Sequence, residues 1–316
     1  MQRRIIIEAL AASACLRANS GVAMTAPVEP PSAGVGGHWI GAPALNGGKG
    51  YAACPLGATH YRVLSDGSSQ ARHAAPFLLI HQTPFGLAEW IDIQPLLAAT
   101  GRTVIAPDNP GYGMSDAPKA AITVAQLADN LLALLDHLGM QKVIVVGHHT
   151  GAAIAASFAA RHARRTAAVI LHGCPLYTAE ERAERLARPT RTFEPHSDGS
   201  HLAEMFKAIH AIAGQRPEAL VTATWATLGA YLAGPDTPAY QAVFANDMSL
   251  DVAGIQAPAL VLTDRADSLH AKDQQVAALR RDFALEEFSD GGSFSLMLAP
   301  QRWVQQVTAF VRKKSV

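Results

Sequence analysis

From Thr59 onward the apolar positions of the chain alternate between two rhythms. Short apolar runs, Phe77–Ile80, Thr103–Ala106, Lys142–Val146, Ala167–Leu171 and Ala259–Leu262, have the length and β-branched content of strands buried on both faces. Between them the spacing turns helical. Leu127, Leu131, Leu134, Leu135 and Leu138 share one side of a helix over Thr123–Leu138, opened by a Thr123/Gln126 capping box. Helices are predicted over Trp90–Leu97, Ala152–Arg161, Ala271–Arg281 and Pro300–Val311, and strands over Tyr61–Leu64 and Ala284–Phe288. This alternation predicts an α/β chain with a doubly wound, mostly parallel sheet and right-handed crossovers.

The strand rhythm breaks over 176–250. Four helical stretches take its place: Ala179–Arg188, His201–Ala213, Pro217–Leu232 and Pro238–Phe244. A helical insertion between two late strands is expected to form a lid over the carboxyl edge of the sheet, where ligands bind in open α/β folds. The expected organisation is a leader and irregular Gly/Pro-rich extension over 1–50, a first core part over 51–175, the lid over 176–250 and a second core part over 251–316.

Composition narrows the possible partners. Charged residues make up 16% of the 316 positions, and Lys+Arg and Asp+Glu are 26 each. No basic excess or stripe marks a nucleic-acid binder. Three widely spaced cysteines predict neither a disulfide framework nor a zinc ribbon. The histidines form no His-x-x-x-His pair with an acid on one helix, and no dinucleotide-binding glycine fingerprint is present. No metal and no cofactor is therefore expected. No apolar run of about 18 residues follows the leader, so no stable membrane insertion is expected. Arg3-Arg4, the apolar stretch to Leu16 and the small residues after it resemble a secretory leader, interrupted by Glu8. Export and a cytoplasmic product starting at Met24 both remain open, as does the oligomeric state.

Four motifs in order resemble the α/β-hydrolase superfamily, in particular its lid-bearing members. Leu79-Ile-His81-Gln82-Thr-Pro84 is similar to the strand-end His-Gly segment of the oxyanion hole. Asp108-Asn-Pro-Gly111-Tyr-Gly-Met-Ser115-Asp116 resembles the Asp-x-Pro-Gly-x-Gly-x-Ser loop. Gly147-His-His149-Thr-Gly151 occupies the nucleophile elbow, and Leu260-Val-Leu-Thr-Asp-Arg-Ala-Asp267 resembles the strand and turn that present the catalytic acid. The resemblance implies a hydrolase acting on a small molecule.

Two positions depart from that pattern. The elbow carries His149 where the resemblance calls for Ser, Cys or Asp. Asp290-Gly-Gly-Ser293-Phe294 carries Ser293 where it calls for the catalytic His. With His and Ser exchanged, Asp267 is expected nearest Ser293 rather than His149. The candidate catalytic residues are therefore His149, Ser293 and Asp267. Ser293 is a nucleophile served by His149, or His149 acts itself or through water. The backbone amides of Gln82 and Thr150 are the expected oxyanion donors. His81, Phe85, His201, Trp225 and Phe294 are the candidate substrate contacts, with His201 a possible replacement for the missing His. His148 reads as a packing residue beneath the elbow, and Asp108 as an anchor for backbone amides. The expected reaction is hydrolysis of an ester-like acyl bond, or a carbon–carbon bond, in a small and largely apolar substrate. The alternatives are a cofactor-free lyase or isomerase using His149 as acid/base, and a non-catalytic ligand-binding relic of the fold.

Overall fold

A computed structural model describes residues 46–188, 195–214, 217–233, 238–289 and 294–316. The leader, Met24 and Ser293 lie outside the described residues. Eight strands form one sheet in the order β1-β2-β4-β3-β5-β6-β7-β8. They are β1 (Asn46–Cys54), β2 (Gly57–Ser65), β3 (Phe77–Ile80), β4 (Val104–Pro107), β5 (Val143–His148), β6 (Thr166–His172), β7 (Ala259–Asp264) and β8 (Ala284–Phe288). β2 runs antiparallel to β1 and to β4. The pairs from β4 through β3, β5, β6 and β7 to β8 are parallel. The predicted doubly wound, mostly parallel architecture is present.

The helices are α1 (Ser69–His73), α2 (Ile93–Ala98), α3 (Val124–His137), α4 (Thr150–Arg161), α5 (Ala179–Leu186), α6 (Ser200–Ala213), α7 (Pro217–Ala233), α8 (Pro238–Ala245), α9 (Met248–Gly254), α10 (His270–Leu279), α11 (Ser295–Leu298) and α12 (Pro300–Lys313). The Thr123 capping box is made in both directions, Gln126 N–H to Thr123 Oγ1 at 3.2 Å and Thr123 N–H to Gln126 Oε1 at 2.9 Å. The helix expected over Trp90–Leu97 is instead a 3₁₀ turn, Leu87–Trp90, followed by α2.

Residues 46–50, expected to be irregular, belong to β1. Glycines 47, 48 and 50 hide the alternation of apolar and polar residues by which a strand is recognised. The strand exists because all nine positions pair with β2 through the backbone, from Asn46 opposite Ser65 to Cys54 opposite Gly57.

The continuous apolar runs are explained by burial on both faces. Leu78, Ile80, Ile105, Val143, Val145, Val169, Leu171 and Val261 enter one core with α3 and α4. Their sequence neighbours Phe77, Leu79, Val104, Ile144, Val146, Ala168, Ile170, Leu260 and Leu262 enter the other, with α2 and α12. Each such Val, Leu, Ile or Phe side chain contributes about 1.5–3 kcal/mol on burial. Polar residues at these positions would unmake one core or the other.

Helices α5 to α9 lie in the chain between β6 and β7. The insertion rests on the carboxyl edge of the sheet. A Cβ at Gly229 of α7 would lie 2.2 Å from the Pro84 carbonyl oxygen, so helix and strand-end loop touch backbone to backbone. Tyr240 of α8 donates its hydroxyl to the Thr83 carbonyl at 3.2 Å.

Candidate active site

The turn from β5 into α4 places His149 at φ 47° and ψ −111°, in the left-handed half of φ space. A non-glycine residue is costly there and persists only when its surroundings hold it. Both flanking glycines are required by close approach. A Cβ at Gly147 would meet the Gly151 carbonyl oxygen at 2.1 Å, and one at Gly151 would meet the Ile80 carbonyl oxygen at 2.0 Å. The tight turn thus presents the His149 side chain, 18% exposed, at the sheet edge.

His149 Nε2–H donates to Asp267 Oδ2 at 2.8 Å. Asp267 was expected nearest Ser293 rather than His149; Ser293 lies outside the described residues, and the acid meets His149 directly. An elbow imidazole is long enough to reach the acid on the β7 side directly. The room comes from Gly173, just after β6, at φ 69°. A Cβ there would lie 2.1 Å from His149 Cδ2 and 2.6 Å from Nε2. Asp267 is itself held, its Oδ1 accepting the Leu269 N–H at 2.7 Å. Burial works to raise the Asp267 carboxyl, but the hydrogen bond and charge of His149 overcome it and hold the acid well below its ordinary range. Burial pushes His149 down, yet the Asp267 hydrogen bond and charge, with the nearby Asp273 and Glu89, move it above its ordinary value.

Beneath the elbow lies a second carboxylate–imidazole pair. His148 Nδ1 lies 2.7 Å from Glu89 Oε1, and both side chains are fully buried. The His148 and His149 rings are 4.5 Å apart between centroids, and the His148 and His172 rings 4.7 Å. His172 Nδ1 accepts the Trp303 indole N–H at 3.2 Å, so His172 packs in the core. Burial, reinforced by the neighbouring His149, drives His148 well below its ordinary range and keeps it neutral. Burial also pushes the Glu89 carboxyl up to about 7. Sequence reasoning passed over Glu89, although an acid inside the otherwise apolar stretch Phe85–Ile91 was the available signal. Gly173 left no such signal.

Glu89 also changes the expected oxyanion hole. Its Oε2 accepts the Gln82 backbone N–H at 2.8 Å, so that amide is already committed. The Gln82 side-chain Nε2 is buried without a hydrogen-bond partner. Thr150 keeps its expected place at the first position of α4, beside His149.

Among the expected substrate contacts, Phe85 and Phe294 meet with ring centroids 5.8 Å apart, and Trp225 packs against the cluster that holds them. Two others have their partners elsewhere. His81 is fully buried and binds the loop rather than a substrate, with Nδ1 donating to the Gln82 carbonyl at 2.8 Å and Nε2 accepting the Asn109 N–H at 2.8 Å. His201 keeps its contacts within the insertion. Its Nδ1 accepts the His196 N–H at 3.0 Å and its ring lies 5.2 Å from that of Tyr231, so its partners belong to the insertion. Asp108 anchors backbone amides as expected, accepting from Leu87 N–H at 2.6 Å and Met114 N–H at 3.0 Å. A cavity of about 640 Å³ between the 117–122 loop and helices α5 and α8 is lined by none of the candidate residues. The described side chains that converge as metal ligands are His148, His149 and Asp267, with one ligand atom from each within 4.8 Å of the others. No helical spacing marks this trio, because two of the three are sequence neighbours at the turn and Asp267 lies 118 positions beyond His149.

Residues 75–221 match the family model described as the alpha/beta hydrolase fold. Over 105 residues the chain is 35% identical to a soluble epoxide hydrolase of Corynebacterium sp., covering 32% of this chain and 36% of that protein. Over 100 residues it is 37% identical to epoxide hydrolase A of Mycobacterium tuberculosis, covering 31% of each. The chain thus spans about a third of the length of these relatives. In solved structures it is similar to the enol-lactonase of Burkholderia xenovorans, with a TM-score of 0.68 and 22% identity over 83% of this chain and 100% of that one. A thermophilic esterase of Thermogutta terrifontis has the same TM-score and identity over 85% of this chain and 100% of that one. Sheet order, family match and structural neighbours agree: this chain has the alpha/beta hydrolase fold.

Proposed function

We propose that the protein is a hydrolase of small, largely apolar substrates, cleaving an ester-like acyl bond or a comparable carbon–carbon bond, with His149 as general base. The observation that carries this reading is the 2.8 Å bond from His149 Nε2 to Asp267 Oδ2. It commits Nε2 to the acid and leaves Nδ1 to move protons, with the imidazolium stabilised by the buried carboxylate. Water is the nucleophile. His149 Nδ1 takes one of its protons as the oxygen adds to the acyl carbon, and the imidazolium returns that proton to the departing alkoxide. Helices α5 to α9 serve as the lid, and Phe85, Trp225 and Phe294 as the apolar wall.

Epoxides belong on the same substrate panel, because the matched relatives are named for them. Turnover of short-chain activated esters, a lactone and a terminal epoxide is to be compared for wild type, His149→Ala, Asp267→Asn and Ser293→Ala, each checked for folding. The first two variants are expected to lose about a hundredfold or more, the contribution of a positioned base, and Ser293→Ala less than tenfold. A Ser293→Ala loss as large as that of His149→Ala would make Ser293 the nucleophile. No turnover by wild type would overturn the hydrolase reading.

One observation favours a second reading. With the Gln82 N–H held by Glu89, Thr150 is the remaining expected backbone donor for an acyl oxyanion. A lyase or isomerase using His149 as acid/base needs no such hole. Solvent deuterium entering an unhydrolysed carbonyl substrate would identify that chemistry.

A further inference from the structure

We infer that His148, His149 and Asp267 form a binding site for a divalent transition cation of the zinc class at the elbow. Each residue offers one ligand atom, and these atoms lie within 4.8 Å of one another. Two imidazoles and a carboxylate are a donor set suited to zinc, cobalt and iron, and three protein ligands leave a coordination position open.

Two further observations point the same way. His148 Nε2 is buried and has no hydrogen-bond partner. A fully buried polar atom without a partner is destabilising, and here the atom belongs to a side chain beside two other ligands. Its opposite nitrogen is held by a buried carboxylate, His148 Nδ1 to Glu89 Oε1 at 2.7 Å. Metal-binding histidines carry this outer carboxylate, which fixes the tautomer with the lone pair on the free nitrogen.

His149 Nε2–H donates to Asp267 Oδ2 at 2.8 Å in the described state. Cation binding displaces that proton: the Nε2–H bond breaks, the proton passes to Nδ1, and the Nε2 lone pair and Oδ2 both coordinate the ion. Asp267 Oδ1 keeps the Leu269 N–H throughout. His149, the more exposed of the three, faces the side from which the ion and a fourth ligand arrive. Water on that ion would be a stronger acid than free water, which serves the same hydrolytic chemistry by another route.

The test is titration of the chelator-treated full chain with cobalt(II), read by its visible d–d absorption and by metal content after dialysis. The expected result is one cobalt per chain, displaced by zinc. His148→Gln and Asp267→Asn should each weaken binding at least tenfold. His201→Ala, whose ring lies in the insertion, should bind as wild type does. Absence of a bound equivalent, or binding unchanged in both ligand variants, overturns the inference. If His148→Gln does not fold, the NMR resonances of the His148 ring in wild type decide the matter: they must shift when zinc is added. Chelator-treated wild type that hydrolyses substrate through His149, yet takes up no cobalt, removes this site and leaves the proposed function standing. Cobalt binding without any turnover does the reverse.

Discussion

Gly173 shows how much of the candidate site rests on a residue with no side chain. Its φ of 69° and the 2.1 Å at which an added Cβ would meet the His149 ring exclude a methyl group twice over. Gly173→Ala is expected to lose about 1–2 kcal/mol from the backbone alone. The displaced imidazole would also lose its bond to Asp267. Denaturant melts together with the His149 ring resonance check this; a stable variant with an unshifted resonance would show that the ring does not depend on Gly173. The neighbouring residues illustrate what a sequence reveals and conceals. His149 was legible because Gly-x-x-x-Gly after a strand marks a turn that displays its middle residue. Its pairing with Asp267 was not, because 118 positions separate the two and the decisive space was made by a third segment.

At the scale of elements, the loops at the carboxyl edge are fastened by buried acids. Asp108, at the end of β4, accepts from Leu87 N–H and Met114 N–H and lies 2.8 Å from His60 Nδ1. Burial opposes its charge, but the His60 hydrogen bond, the nearby His81 and the two amides outweigh it, and its carboxyl is held below the ordinary value. A group depressed in the folded state stabilises the fold above its unfolded pKa, and that contribution fades as the pH falls through the folded value. Wild type should therefore lose stability progressively below about pH 4. Asp108→Asn, which cannot titrate, should start less stable at neutral pH and show a flatter acid limb in urea melts. Parallel limbs would remove Asp108 from the account. The elements themselves were largely legible, since two-sided burial makes an apolar run and a helix face makes a periodic one. β1 was not, because a glycine-rich edge strand is specified by its partner's backbone.

At the scale of the molecule, the sheet is clamped between two cores, and the closing helix joins the second of them to the site. Trp303 of α12 is fully buried, with its ring centroid 5.8 Å from that of Trp90 and its indole N–H on His172. Trp303→Ala should cost about 3–5 kcal/mol and leave His172 Nδ1 unpartnered. Trp303→Phe should recover most of the packing but not the hydrogen bond. Urea midpoints for the two variants measure the difference, and equal midpoints would assign the whole effect to the bond.

The sequence by itself determined the layer architecture, because burial imposes a period on each strand and helix that survives in one dimension. It also determined which residue occupies the elbow, because a sharp turn needs glycines at fixed spacing. The tertiary structure decided what that residue does. His149 meets Asp267, His148 meets Glu89 and the Gln82 amide is claimed by the same acid. Each of these contacts joins segments that no local pattern connects, and each is settled only when strands β3, β5 and β7 end at one edge of the sheet.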